Sequence, residues 1–245
     1  MRFHFLFEQS GTFRDVFKKH GHKAWDYDIA NDYGKTDYKI DLFCEIERKY
    51  NMLIGTAEIH PTIFEDMTSK NDFIFAFFPC THFCDFNSLT YRLWCGGRRL
   101  PLDLKNIKKL IARNQERSVF FGLYLKFCFI CKTLGIPTII ENPASGGASN
   151  YLELFSPIDV GYKERNRALF GDNFKKPTNF FAINFTMKEN FIMFYDMRIN
   201  TKIISHQRGK GKGQVECNTR ERSEITPEYA ENFYKRFIQK AVEHE

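Results

Sequence analysis

The chain has no apolar run long enough to cross a bilayer. A spanning helix needs roughly 18 to 20 such residues, and the best stretch, Val119 to Cys131, is shorter and interrupted by Lys126. No secretory leader is evident, and the seven cysteines, at 44, 80, 84, 95, 128, 131 and 217, are odd in number and irregularly spaced. That spacing argues against a disulfide scaffold, so a soluble, cytoplasmic protein in a reducing compartment is expected. Cys128-x-x-Cys131 has no second pair to complete a zinc site, and Cys80, His82 and Cys84 have no distant ligand pair, so no metal is expected. A strong charge excess is missing too: 36 Lys and Arg against 30 Asp and Glu leave +6. This balance permits a polyanionic partner without demanding one.

What remains is a chain of 245 residues, 43% hydrophobic, which is enough for one substantial core with a small appendage. The 27 phenylalanines are read as core. Phe3 to Phe7, Lys23 to Ile29, Tyr38 to Phe43, Asp72 to Phe78 and Thr138 to Ile140 read as strands. Between them, Gly11 to His20, Glu45 to Tyr50 and Asp103 to Leu134 read as helices, the last stopped by Gly135 and Pro137. This alternation predicts an α/β fold, a mostly parallel sheet with helices on both faces. Ligands of such sheets bind beyond the carboxyl ends of the strands, where strand order reverses. Four groups of candidate residues fall at such ends: Phe7 to Gly11, Asp26 to Asp28, Pro79-Cys80 and Glu141-Asn142.

Taken singly, these residues have plain readings. A cysteine after an apolar strand is usually a small buried hydrophobe. Glu141 reads as a helix N-terminal acid, Asp26 and Asp28 as acids solvating a strand end, and the lysine and arginine runs as solvated faces. Together, in order and in strand context, they carry more. Phe77-Phe-Pro-Cys-Thr-His-Phe-Cys84 resembles the Pro-Cys loop of the cytosine-5 methyltransferases, and Ile139-Ile-Glu-Asn-Pro143 resembles their Glu-Asn loop. Phe170-Gly171 with Lys175-Lys-Pro-Thr-Asn-Phe180 is similar to a segment of the short phage-type enzymes. Arg222-Ser-Glu-Ile-Thr-Pro-Glu-Tyr229 looks like the lead into their final helix. In the first motif, usually Phe-x-Gly-x-Gly, this chain has Phe7-Glu8-Gln9-Ser10-Gly11, with Gln9 in place of a glycine.

The resemblance implies a Rossmann-like class I methyltransferase fold. Residues 1–182 would form the catalytic domain, 183–221 a small target-recognition-like insert, and 222–245 a helix packing back on the domain. It implies S-adenosylmethionine as cofactor, held by Phe7, Ser10, Gly11, Thr12, Pro79 and an acid, Asp26 or Asp28, at the ribose hydroxyls. It further implies DNA as substrate, with Cys80 attacking cytosine C6 and Glu141 relieving the charge at N3. The nucleophile must be a thiolate, and the acid must hold a proton above the ordinary glutamate value of about 4.3. A base inside a duplex must be flipped out to be reached. Asn142, Pro143, Arg165, Arg167, Lys175, Lys176, Lys210 and Lys212 are the candidates for holding the base and the DNA backbone. Two alternatives stay open: a non-catalytic DNA- or nucleotide-binding module on the same scaffold, and an enzyme acting on cytosine in tRNA.

Overall fold

The computed structural model describes residues 1–83, 93–95, 98–144, 151–174, 176–190 and 224–243. The expected α/β architecture is present, with a mostly parallel, mixed seven-stranded sheet at its centre. In chain order the strands are β1 (Arg2–Leu6), β2 (Lys23–Asp28), β3 (Tyr38–Lys39), β4 (Asp72–Ala76), β5 (Trp94–Cys95), β6 (Arg98–Arg99), β7 (Thr138–Pro143), β8 (Val160–Glu164) and β9 (Thr178–Ile183). The helices are α1 (Thr12–Lys19), α2 (Leu42–Leu53), α3 (Leu104–Leu134), α4 (Tyr151–Phe155), α5 (Pro227–Phe233) and α6 (Gln239–Glu243). A π-helical turn, Tyr234–Ile238, joins α5 to α6.

The sheet order is β3-β2-β1-β4-β7-β9-β8, and β5 and β6 form a separate antiparallel pair. From β1, one run of strands extends through β2 to β3 and the other through β4 to β7, so the order reverses between β1 and β4. Only β9 runs against its neighbours, pairing antiparallel with both β7 and β8. All five residues of β4 are buried, as a strand covered on both faces must be. Alternation then sorts the side chains. Leu6, Ile74, Ala76 and Ile140 face α2 and α3, while Phe3, Phe5, Phe73, Phe75 and Ile139 face α1 and α5.

Several element boundaries differ from the sequence expectation: β7 runs on to Pro143 and α2 spans Leu42–Leu53 rather than Glu45 to Tyr50. Tyr38 to Phe43 is not one strand: pairing stops after Lys39 because Asp41 caps α2, accepting from the Phe43 and Cys44 amides at 3.0 and 3.3 Å. The Asp72 strand stops at Ala76, two residues early, and Phe77 and Phe78 lead into the following loop. Helix α3 starts and stops where the sequence places it, with Asp103 as N-cap and Gly135 in the left-handed conformation at its end. Only its second half, from Leu123 to Cys131, is buried. Cys128 and Cys131 lie there as core thiols, and burial pushes Cys131 up to about 12. The C-terminal helix is fastened to the sheet by Arg236, fully buried, which donates to Glu164 at 2.7 Å and to the Tyr162 hydroxyl at 2.8 Å.

Candidate functional site

A cleft of about 600 Å³ opens beyond the carboxyl ends of β1, β2, β4 and β7, at the reversal of strand order where such sheets bind ligands. Cys80 and Glu141 both line it. The register explains why two distant segments meet. Parallel pairing of β4 with β7 matches Ala76 to Ile140, so both chains leave that pairing together, one toward Pro79-Cys80 and the other at Glu141. On its other edge β7 continues against β9, with Glu141 opposite Phe180 and Asn142 opposite Asn179, so Glu141 is held in regular strand rather than on a loose loop.

The Cys80 loop is clamped at both ends. Ahead of it, the Asn142 side-chain amide donates to the Phe78 carbonyl at 3.2 Å. After it, the Phe83 amide donates to the Cys80 carbonyl at 2.9 Å, closing a tight turn, and Phe83 is buried against Phe78 and Tyr151. Cys80 itself is partly exposed. Glu141 is mostly buried, and its Oε1 has no hydrogen-bond partner among the described residues. The Arg167 guanidinium lies 3.5 Å from that oxygen and 2.5 Å from Asp172, and stacks over the Tyr229 ring at 4.4 Å. Arg167 corrects its sequence reading: fully buried and absent from the cleft wall, it is a neighbour of Glu141 and not an exposed cation for DNA. Asn142 corrects its sequence reading: fully buried and absent from the cleft wall, it positions the Cys80 loop instead of facing a base.

The opposite side of the cleft is built on β1, β2 and the start of α2. Phe7, Ser10 and Asp28 line it there, and Pro79 lines the cleft next to Cys80. Asp28 ends β2, with one carboxyl oxygen accepting from the Ala30 amide at 2.7 Å, and burial raises its pKa above the usual aspartate value. Asp26 is corrected: it is fully buried beneath α1, paired with Arg14 at 3.1 Å and accepting from the Asp37 amide at 2.6 Å, and it does not reach the cleft. Gly11 and Thr12 are also off the cleft wall. Gly11 takes φ +70°, and a side chain there would meet the Arg14 guanidinium. Gln9 causes no backbone strain, because the left-handed residues of this turn are Phe7, at φ 59°, and Gly11; the Gln9 side-chain oxygen accepts from the Asp32 amide at 3.0 Å.

Several lining residues carried no distinctive signal in the sequence. Glu8, Phe43, Tyr33 and Glu224 are among them, and the Tyr33 hydroxyl donates to Glu224 at 3.1 Å, linking the β2–β3 loop to the C-terminal segment. For Asp41 a signal existed, namely an N-capping acid directly before an amphipathic run.

Of the proposed basic residues and their neighbours, Lys176 and Pro143 line the cleft, while Arg165 is exposed away from it. Lys175, Lys210, Lys212, Cys84 and most of the 183–221 insert lie outside the described residues. A basic surface the sequence reading passed over lies on α3. Lys105, Lys109, Arg113 and Arg117 recur every four residues along the part of the helix that leaves the core, and so follow one face. Arg117 stacks on Tyr151, the ring that also packs on Phe83 of the Cys80 turn.

No protein-family model matches the chain, and no curated protein matches it. Among the described residues no group of His, Cys, Asp and Glu could hold a metal ion, and no helix is long and apolar enough to cross a membrane.

Proposed function

We propose that this chain is a cytosine-5 methyltransferase-like enzyme of the class I methyltransferase fold, acting on DNA with S-adenosylmethionine as methyl donor. The observation that carries the reading is that Cys80, in the loop after β4, and Glu141, within the neighbouring parallel strand β7, line one cleft with Phe7, Ser10 and Asp28. A nucleophile and an acid on one wall, with an aromatic and acidic compartment opposite, are what the reaction needs. The cofactor fits that compartment: Phe7 and Phe43 offer apolar surface to a purine ring, and Asp28 offers acceptors to ribose hydroxyls.

The protein's own part in the chemistry begins with the Cys80 thiolate bonding to C6 of a flipped cytosine and breaking the C5–C6 π bond. The electron pair moves onto the ring, and Glu141 donates a hydrogen bond or proton at N3. S-adenosylmethionine, when bound, supplies an electrophilic methyl group to C5. The C5 hydrogen then leaves as a proton, the C6–S bond breaks, and Cys80 returns as a thiolate. Arg167, beside both Glu141 and Asp172, holds the acid in place. The α3 stripe supplies cations for the phosphate backbone.

Covalent trapping on DNA carrying 5-fluorocytosine, with labelled cofactor, tests the reading. A denaturation-resistant adduct that Cys80→Ser abolishes is expected, and Glu141→Gln should slow its formation by about a hundredfold or more. Absence of adduct and of methyl transfer on DNA would reject a DNA enzyme, and transfer to tRNA alone would move the substrate to RNA. Binding of cofactor and DNA without either signal would leave a non-catalytic module.

A further inference from the structure

Glu8 sits on the turn between β1 and α1 and lines the cleft, yet it is only 6% exposed. Its two oxygens are treated differently. Oε1 accepts from the Ser10 hydroxyl and from the Thr12 amide, both at 2.7 Å. Oε2 is buried with no hydrogen-bond partner among the described residues. A buried carboxyl oxygen left unsatisfied is costly, and where a native structure keeps one it points to a group not yet present.

The surroundings define that group. Asp28, Asp41, Glu141 and Glu224 share the cleft with Glu8, against Lys176 alone among its described lining residues. Such a cleft disfavours phosphate or another anion at this end and favours a cation able to donate hydrogen bonds.

We propose that Glu8 is the receptor for the α-ammonium group of the amino-acid portion of the methyl donor. The assignment rests on the methyltransferase reading. The sulfonium centre of S-adenosylmethionine is positive but has no N–H, so the ammonium is the cationic group that can fill the open position on Oε2. In this turn an ordinary helix-capping acid has become a ligand selector: Ser10 and Thr12 fix one oxygen, and the other is held toward the donor. Burial supports the role by keeping the carboxyl up at about 7, against the hydrogen bonds from Ser10 and Thr12. The charged groups around it are Asp26 on β2, Asp28, Asp41, Glu141 and Glu224 around the cleft, and Lys176. Near neutrality, binding an ammonium there drives off the proton that remains on Glu8.

Calorimetry with three ligands tests this on the full chain: S-adenosylmethionine, S-adenosylhomocysteine, and 5′-methylthioadenosine, which lacks the amino-acid portion. Glu8→Gln should weaken the first two at least tenfold and the third less than twofold. At pH 7 the wild type should release a fraction of a proton on binding the first two, measured across buffers of different ionisation heat, and the variant none. Thermal unfolding of the variant confirms that it folds, and Glu8→Asp, which keeps the charge but shortens the reach, should fall between. Equal affinity of wild type and Glu8→Gln for S-adenosylmethionine would overturn the role of Glu8 alone. Failure of the wild type to bind any of the three ligands would overturn the methyltransferase reading, and this assignment with it.

Discussion

The side-chain amide of Asn142 donates a 3.2 Å hydrogen bond to the backbone carbonyl of Phe78. It ties the strand that carries Glu141 to the loop that carries Cys80, across strands far apart in sequence. Asn142→Ala leaves the Phe78 carbonyl unpaired, and should destabilise the fold by about 1–3 kcal/mol while letting the Cys80 loop drift. Urea denaturation together with the rate of adduct formation on 5-fluorocytosine DNA checks both effects. A variant with unchanged stability and rate would show that the bond positions nothing.

Arg167 is fully buried, 2.5 Å from Asp172 and 3.5 Å from Glu141. Removing one member of a buried ion pair strands the other, so Arg167→Met should cost about 3–5 kcal/mol. Adding Asp172→Leu removes the stranded charge and should restore much of that stability. Adduct formation should stay slow in the double variant, because Glu141 still lacks its neighbour. Recovery of the rate along with stability would assign Arg167 a purely structural role.

Glu8 also predicts how stability depends on pH. Its carboxyl titrates at about 7 in the folded protein, against a reference of 4.5. Between those values the folded state binds more protons than the unfolded, so the contribution is intact below pH 4.5 and is lost as pH rises through 7. The loss amounts to about 3 kcal/mol, from roughly 1.36 kcal/mol per tenfold change in proton affinity. Glu8→Gln should therefore match the wild type near pH 4.5 and be more stable about one unit above the folded titration point, as denaturant melts at the two pH values would show. A gap that stays constant with pH would contradict the raised titration. Such a variant would be more stable and less able to bind, a trade expected where a binding group is kept at the expense of the fold.

Lys105, Lys109, Arg113 and Arg117 line one face of the part of α3 that projects from the core. Lys109→Glu with Arg113→Glu should weaken DNA binding and lower the slope of log affinity against log salt by about one for each phosphate the helix no longer neutralises. Unfolding temperature and affinity for S-adenosylmethionine should not change. Fluorescence anisotropy from low to moderate salt measures the slope, and parallel lines for wild type and variant would remove α3 from the interface.

How far the site was legible in sequence depended on what set each position. Strand ends are dictated by local apolar runs, and in a parallel sheet all such ends face the same rim. Cys80, Glu141 and Asp28 were therefore readable as neighbours from the order of strands alone. Asp26 and Asp28 were indistinguishable by type and differ by two residues, but Asp26 lies where α1 crosses β2 and Arg14 takes it, while Asp28 sits past that crossing. Gln9 looked like the loss of a glycine, but positive φ falls on Phe7 and on the retained Gly11, and the angle at Phe7 has no signature in composition. Lys210, Lys212 and the insert around them lie outside the described residues.

By itself, the sequence determined the α/β alternation, the long α3 and the grouping of a thiol and a carboxyl at one edge, because hydrophobic period and helix-stop residues act locally. Tertiary structure alone decided that Asn142 acts on the backbone of Phe78, that Arg167 belongs to Glu141, and that Glu8 keeps an oxygen unsatisfied inside a cleft of acids. Burial and hydrogen-bond partnership are properties of a packed neighbourhood. Those neighbours come from segments tens to hundreds of residues away, so no window of sequence contains them.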